Sequence, residues 1–557
     1  MNDFCWSYIC FTQLNTNTPA FFGFSEYLTS LALMVLAWTI ADIRYRFRIQ
    51  TTSLPLLKIT FIVLSTVGLL TLLTDLWSSQ QWYVPKGNIL TPALWQAFLG
   101  SLTLITFLSW AWIALIRKPR FNKYTCEQYG KTIYKYILNS SSREMAVAAS
   151  ELQYAARSII RHAEEKQISH QSTISHVTTN NLIVNAYASD MLLLIADKRF
   201  CKTLVEKAPI TIYLLFDEIT LSKKYHLPID TFSKNIVLSA IENKDSFLYH
   251  ETDIYSSGLL GHHKPVSLSM FSSFRLANNI NSLLELNHEE SSKWDNEQIQ
   301  AYCRVICITL NDYVLNHYTA DSTLFNRINK DITDLISFNL CKINGNSHYS
   351  LEDQLIKKLN VIIDYFVQVT SILNTKPIPN YVKLRIENQI TEYTIFDSIA
   401  ESFFEIISAA ACVQSPAKLA WYIQRNLVWR TIFMSPYIDG KVGGIILFKL
   451  RRLIYNEVNL LVDFPNYKGA ELLALCLNVM GINENRATIN GEIRPLYKAI
   501  RTWTIKNFDK LYRHNTAIAD ACLVDTMHYK KSTKTIVKEY SMNSFHQTPE
   551  YDQLIVD

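Results

Sequence analysis

The sequence predicts an all-α protein, with an N-terminal bundle of three transmembrane helices followed by a large multi-helix cytoplasmic body. Two observations predict it. Three apolar runs, at 20–41, 54–77 and 92–116, each reach the length of about 20 residues that a hydrocarbon core requires. From Tyr124 onward, apolar residues recur at three- and four-residue spacing, and alternating strand patterns are short and scarce.

Charge follows the same division. Residues 1–116 carry only Asp3, Glu26, Asp42, Arg44, Arg46, Arg48, Lys58, Asp75 and Lys86, while the rest of the chain has the charge density of a soluble protein. The mean hydropathy of +0.04 averages these unlike parts. A net charge of +5 over 557 residues is too small to mark a nucleic-acid binder. No basic stretch precedes the first apolar run, so a cleavable signal peptide is not expected.

Lys and Arg placement sets the expected orientation. Arg44, Arg46 and Arg48 follow the first run, and Arg117, Lys118, Arg120 and Lys123 follow the third. Both basic flanks then lie on one side, which predicts a multi-pass protein of a bacterial-type inner (plasma) membrane. Its N-terminus would be outside and its C-terminal body cytoplasmic. Trp77, Trp82, Tyr83 and Trp95 fit an outer aromatic belt.

Inside the spans, Ser65, Gly68, Thr71 and Asp75 share one helical face, as do Gln96, Gly100, Thr103 and Thr106. Small and hydroxyl stripes of this kind predict helix–helix packing. Glu26 and Asp75 form an outer acidic pair, the one feature that points to a cation pathway in an oligomer.

In the body, Ser141 and Glu144 predict a capping box opening a helix to about Lys166, with Met145, Ala148, Leu152, Ala155 and Ile159 as its apolar stripe. The expected divisions are a short extracytoplasmic N-terminus (1–19), a three-span domain (20–119), helical lobes at 120–290 and 291–540, and a flexible tail (541–557). A final helical segment is expected over about 495–540.

Chemical motifs are sparse. No C-x-x-C pair exists among the ten cysteines. Cys5 and Cys10 are placed on the oxidising side as a candidate pair, and the other eight are expected as reduced thiols. His250, Glu251, Asp253, His262 and His263 gather imidazoles and carboxylates within fourteen residues, a set able to hold a divalent metal, although H-E-x-x-H is not matched. Asp230, Glu242 and Lys244 imitate a PD-(D/E)xK nuclease pattern, but on helical rather than hairpin sequence. Gly440-Lys-Val-Gly-Gly before a helix offers backbone N–H groups to an anion without Walker spacing. Arg157 to His162 resembles the R-x4-H motif of HEPN ribonucleases over six residues. That resemblance implies an all-α dimer, with His162 as base and Arg157 steadying a phosphate.

Basic residues collect late, with Arg494, Lys498 and Arg501 on one helical face and Lys506, Lys510 and Arg513 on another. They are candidates for anion or nucleic-acid binding. Trp421, Tyr422, Arg425, Trp429, Arg430 and Phe433 interleave aromatics with arginines upstream.

The function expected from these features is a membrane-anchored helical sensor, effector or scaffold. Its expected partners are the lipid bilayer and either further copies of itself or an operon-encoded protein. No cofactor is expected beyond the divalent metal of the His250 set. The alternatives are a membrane-tethered nuclease, HEPN-like or metal-dependent, and an oligomeric cation pore.

Overall fold

The computed structural model describes residues 4–6, 9–13, 21–40, 42–85, 91–139, 141–165, 179–251, 265–317, 322–345, 353–378, 393–483, 491–540 and 550–557. The chain is mostly helical, as expected, and divides into two compact units, 1–240 with 261–266, and 241–260 with 267–557. The division falls near residue 240 rather than near 290.

The first unit opens with short strands β1 (Phe4–Trp6) and β2 (Ile9–Gln13), completed by β3 (Tyr83–Pro85) in an antiparallel sheet of order β1-β2-β3. Its apolar helices are α1 (Phe24–Ile40), α3 (Leu56–Ser79) and α4 (Pro92–Ala111), the last continuing through a π-helical turn, Trp112–Ile116. Two stretches, Leu56–Ser79 and Pro92–Ile116, are long and apolar enough to cross a membrane. The expected third does not reach that length. α1 has 17 residues, about 25 Å at 1.5 Å per residue, and gives way at a 100° bend to α2 (Ile43–Gln50). Asp42 is the N-cap of that new helix, its carboxylate accepting the Ile43 N–H at 2.7 Å.

The expected polar stripes are packing surfaces. Tyr27 of α1 lies so close to Gly68 of α3 that a β-carbon there would come within 2.7 Å of the ring. The Tyr27 hydroxyl donates to the Leu64 carbonyl at 2.8 Å. Gly100 of α4 similarly admits Phe22.

Five further helices, α5 (Cys126–Asn139), α6 (Ser142–His162), α7 (Thr179–Leu194), α8 (Lys198–Lys207) and α9 (Pro209–Ser222), form the helical lobe of this unit. α6 is its centre and carries the Ser141/Glu144 capping box. Its alanines pack within the lobe, close enough that Thr211 of α9 donates to the Ala149 carbonyl at 2.8 Å. α10 (Asp230–Glu242) follows.

The second unit begins with short helices α11 (Phe247–His250), α12 (Val266–Phe271), α13 (Phe274–Asn279) and α14 (His288–Ser291). Long helices α15 (Asn296–Asn316), α16 (Thr323–Ser337), α17 (Gln354–Leu373) and α18 (Ile395–Ala411) follow. α18 is the hub, buried along most of its length and packed on α16 and on the later α21 (Lys441–Leu460) and α22 (Tyr467–Met480). Between them lie α19 (Ala417–Trp421), a π-helical stretch Tyr422–Trp429 and α20 (Arg430–Met434).

The C-terminal region departs from expectation. α23 (Arg494–His514) ends where Asn515 caps α24 (Thr516–Ala521) through the Ile518 N–H. The chain then forms β4 (Met527–Lys530), β5 (Thr535–Tyr540) and β6 (Glu550–Ile555), an antiparallel sheet. The expected helix over 495–540 therefore stops early. The expected flexible tail contains a strand hydrogen-bonded along its length to β5. The β-branched run Thr535-Ile536-Val537 favours that ladder.

Cysteine pairing departs too. Cys341 and Cys412 form a disulfide, so two of the eight expected thiols are oxidised. Cys126, Cys201, Cys303, Cys307, Cys476 and Cys522 are free and buried. In the N-terminal hairpin Cys5 and Cys10 are cross-strand register partners.

Candidate functional site

The sequence of α2, IRYRFRIQ, alternates arginine with apolar and aromatic residues. Helical spacing puts Arg44 and Arg48 on one face, four residues apart. Both reach Glu151 of α6. Arg48 donates from Nε at 2.9 Å and from Nη2 at 3.0 Å to the two carboxylate oxygens, and Arg44 Nε lies 3.4 Å away. The remaining Arg48 nitrogen, Nη1, donates to the Leu115 carbonyl at 2.9 Å, in the π-helical turn that ends α4. The Arg48 side chain is 10% exposed and that of Glu151 2%. Charges so far from water persist only when paired and hydrogen-bonded, and the two-point geometry supplies both.

Apolar neighbours seat this pair on two sides. Phe47 packs edge-on against Tyr129 and Tyr136 of α5, with ring centroids 6.0 and 5.3 Å apart. Ile49 packs with Trp110 of α4 and Ala114 of the π-helical turn that follows it. α2 is thus a wedge joining the apolar helices to the lobe. Arg46 faces elsewhere and donates to the Thr39 carbonyl at 3.4 Å.

The second basic flank stays at the surface. Arg117, Lys118, Arg120 and Lys123 are exposed. Lys118 lies over the Tyr154 ring at 4.8 Å and Lys123 over Tyr124 at 4.8 Å.

The acidic pair is brought together, in the role of a helix cap. The Phe24 N–H donates to Asp75 at 2.7 Å and the Gly23 N–H to Glu26 at 2.9 Å. A β-carbon on Gly23 would stand 3.1 Å from an oxygen of each. Both carboxylates therefore satisfy the start of α1.

The nuclease motifs are held by other work. Arg157 pairs with Asp217 of α9 at 3.2 Å, and the neighbouring Ser158 hydroxyl donates to the Phe121 carbonyl at 2.6 Å. His162 rests against the Phe121 ring, where burial, and then the nearby Lys224 ammonium, push its pKa below the ordinary histidine value. Asp230 and Glu242 are the two ends of helix α10, and Lys244 pairs with Asp295 and Glu297.

Of the His250 set, Asp253, His262 and His263 lie outside the described residues. His250 ends α11, and Glu251 accepts the N–H and hydroxyl of Ser267 at 2.9 and 2.7 Å. Among the described residues no three His, Cys, Asp or Glu side chains converge as a metal requires.

Gly440 and Gly443 answer to packing. The Ile438 carbonyl sits 1.6 Å from where a Gly443 β-carbon would be, and the Val442 N–H is taken by the Asn374 side chain at 3.1 Å. Arg494, Lys498, Lys506 and Lys510 project from α23, Arg501 is half-buried, and Arg513 pairs with Asp509 at 2.5 Å. Arg425 stacks on Trp421 and donates to the Val479 carbonyl at 2.6 Å, and Trp429 packs with Phe433 in the core.

Glu151 was missed from sequence. Its signal is positional, since it stands three residues after Ala148 and four before Ala155, within the apolar stripe of α6. Comparison with family models, curated proteins and solved structures returns no match.

Proposed function

We propose that this chain is a membrane-anchored helical sensor or scaffold in which the spans and the adjoining lobe act as one mechanical piece. The observation that carries this reading is the buried Arg48–Glu151 pair with its third bond to the Leu115 carbonyl. A simple tether has no need for a charged junction held so nearly out of water. α3 and α4 are the spans, and α1 is the third. β1 and β2 pair with β3, which follows α3, and α1 begins beside Asp75 at the far end of α3. The chain therefore returns to its starting end after α1 and α3, which favours α1 running through the bilayer. The body then lies on the side of the basic flanks, the cytoplasmic one, and among the described residues the Cys341–Cys412 bond is the one feature that points the other way.

Two measurements test this. Alkaline phosphatase fused near Gly87 should be active and the same enzyme at the C-terminus silent; the reverse pattern overturns the topology. Hydrogen exchange on the detergent-solubilised full chain should rise in α2, in the end of α4 and in α6 together when Arg48 is replaced by Ala. A rise confined to α2 would reduce the junction to a passive linker.

A further inference from the structure

We infer that the surface formed where α4 leaves the apolar bundle binds the phosphate of an acidic phospholipid, with one acyl chain lying along α4. This rests on the reading of α4 as a span.

The segment after the π-helical turn starts with Arg117 in an extended backbone conformation and sets buried residues among exposed cations. Pro119 and Phe121 are buried, whereas Arg117, Lys118 and Arg120 are exposed. The Arg117 N–H donates to the Trp112 carbonyl at 3.0 Å at the start of the segment, and three side chains hold its far end. The Ser158 hydroxyl holds the Phe121 carbonyl at 2.6 Å. The Thr125 hydroxyl holds the Arg120 carbonyl at 2.6 Å, and the Asn122 side chain accepts the N–H groups of Tyr124 and Thr125. The three cations are thus presented by a hydrogen-bonded strap, and among the described residues none of them pairs with a carboxylate.

These cations rim a recess floored by Arg48 and Thr51. The recess holds about 20 Å³, so a phosphate would sit at its mouth against the cations and not within it. Ile113 and Arg117 also line an adjoining open groove of about 550 Å³, completed by Leu108, Ser109 and Trp112 of α4 and its π-helical end. Leu108 and Trp112 are more than half exposed. A cluster of cations continuous with an apolar groove matches a molecule with an anionic head and a hydrocarbon tail. A free phosphate would use only the first part.

The test uses the purified full chain in mixed detergent micelles, with retained lipid read by native mass spectrometry. Wild type should retain phosphatidylglycerol in preference to phosphatidylcholine. Arg117→Gln/Lys118→Gln/Arg120→Gln should weaken phosphatidylglycerol retention on the order of 100-fold. A charge-matched control at exposed lysines given no binding role, Lys330→Gln/Lys418→Gln/Lys531→Gln, should leave it unchanged. Trp112→Ala should weaken retention of both lipids without altering the preference. Millimolar inorganic phosphate should not displace the lipid; displacement would assign the cations to a free anion. Equal retention of the two lipids by wild type, or full phosphatidylglycerol retention by the triple variant, overturns the inference. Alkaline carbonate extraction of membranes separates the two readings. A chain that washes off loses its spans, whereas one that stays while the triple variant behaves as wild type loses only the lipid site.

Discussion

Arg48 and Glu151, 103 residues apart in the chain, meet in a two-point ion pair that is almost closed to solvent. The pairing is unequal. Glu151 has two arginines within reach, Arg44 and Arg48, whereas among the described residues Arg48 has this one carboxylate. Glu151→Leu would strand a buried guanidinium and is expected to cost about 3–5 kcal/mol. Arg48→Met should cost less, because Arg44 remains. The double variant should recover most of the loss, since an apolar pair of similar volume is often neutral. Thermal unfolding of the solubilised full chain checks the order, and a double variant as unstable as Glu151→Leu would refute it.

Lys538 supplies a pH dependence in the second unit. It is buried in β5, donates to the Asn478 carbonyl at 2.7 Å and lies over the Tyr540 ring at 5.2 Å. Burial first, and then Arg425, push its pKa down from 10.5 to about 8. A lysine whose folded pKa is depressed penalises the fold below that pKa. The penalty is released as pH rises from about 8 to the unfolded value of 10.5. A shift of this size corresponds to about 3 kcal/mol. The urea midpoint of wild type should therefore gain on that of Lys538→Met across this window. Parallel pH profiles for the two proteins would refute the assignment.

The Cys341–Cys412 bond joins the turn after α16 to the end of α18, across 71 residues of sequence. Loop-closure entropy puts its contribution at about 4 kcal/mol. Asn344 holds the same two segments without it, donating to the Cys412 carbonyl at 2.6 Å and accepting the Gln414 N–H at 2.7 Å. Reduction should lower stability yet leave the fold, with Cys341 and Cys412 alkylated quickly while the six buried thiols stay protected. Adding Asn344→Ala should separate the segments on reduction. Rapid labelling of Cys303, Cys307, Cys476 and Cys522 as well would show that the bond alone holds the unit.

Asp75 caps α1 from α3. Asp75→Ala should cost about 1 kcal/mol, the usual loss for a removed N-cap acceptor, and Asp75→Asn much less. Amide exchange in the first turn of α1 reports this. Ion leakage from loaded vesicles should be the same for wild type and Asp75→Asn; a change would return the acidic pair to a conduction role.

Local features were legible in the sequence. The Ser141/Glu144 box opens α6 as expected, and the stripe through Gly68 packs against Tyr27. Both depend on residues a turn or two apart. The junction was not legible, because Arg48 counts as a loop charge until Glu151 is folded against it, and nothing local marks that contact. The terminal strands escaped for a related reason, since β6 is short and acquires its ladder only from β5.

The wedge formed by α2 also governs how this chain can be dissected. A cut near residue 117 looks natural, since it falls after the last apolar helix. A soluble fragment starting there would lose Arg44 and Arg48, leaving Glu151 enclosed in α6 without either counter-ion, and would uncover the seat of Phe47 on Tyr129 and Tyr136. A fragment ending there would carry α2 with Arg48 reduced to its bond to the Leu115 carbonyl and Phe47 without its tyrosines. Neither half is a module, and expression work on the lobe has to keep α2 with it.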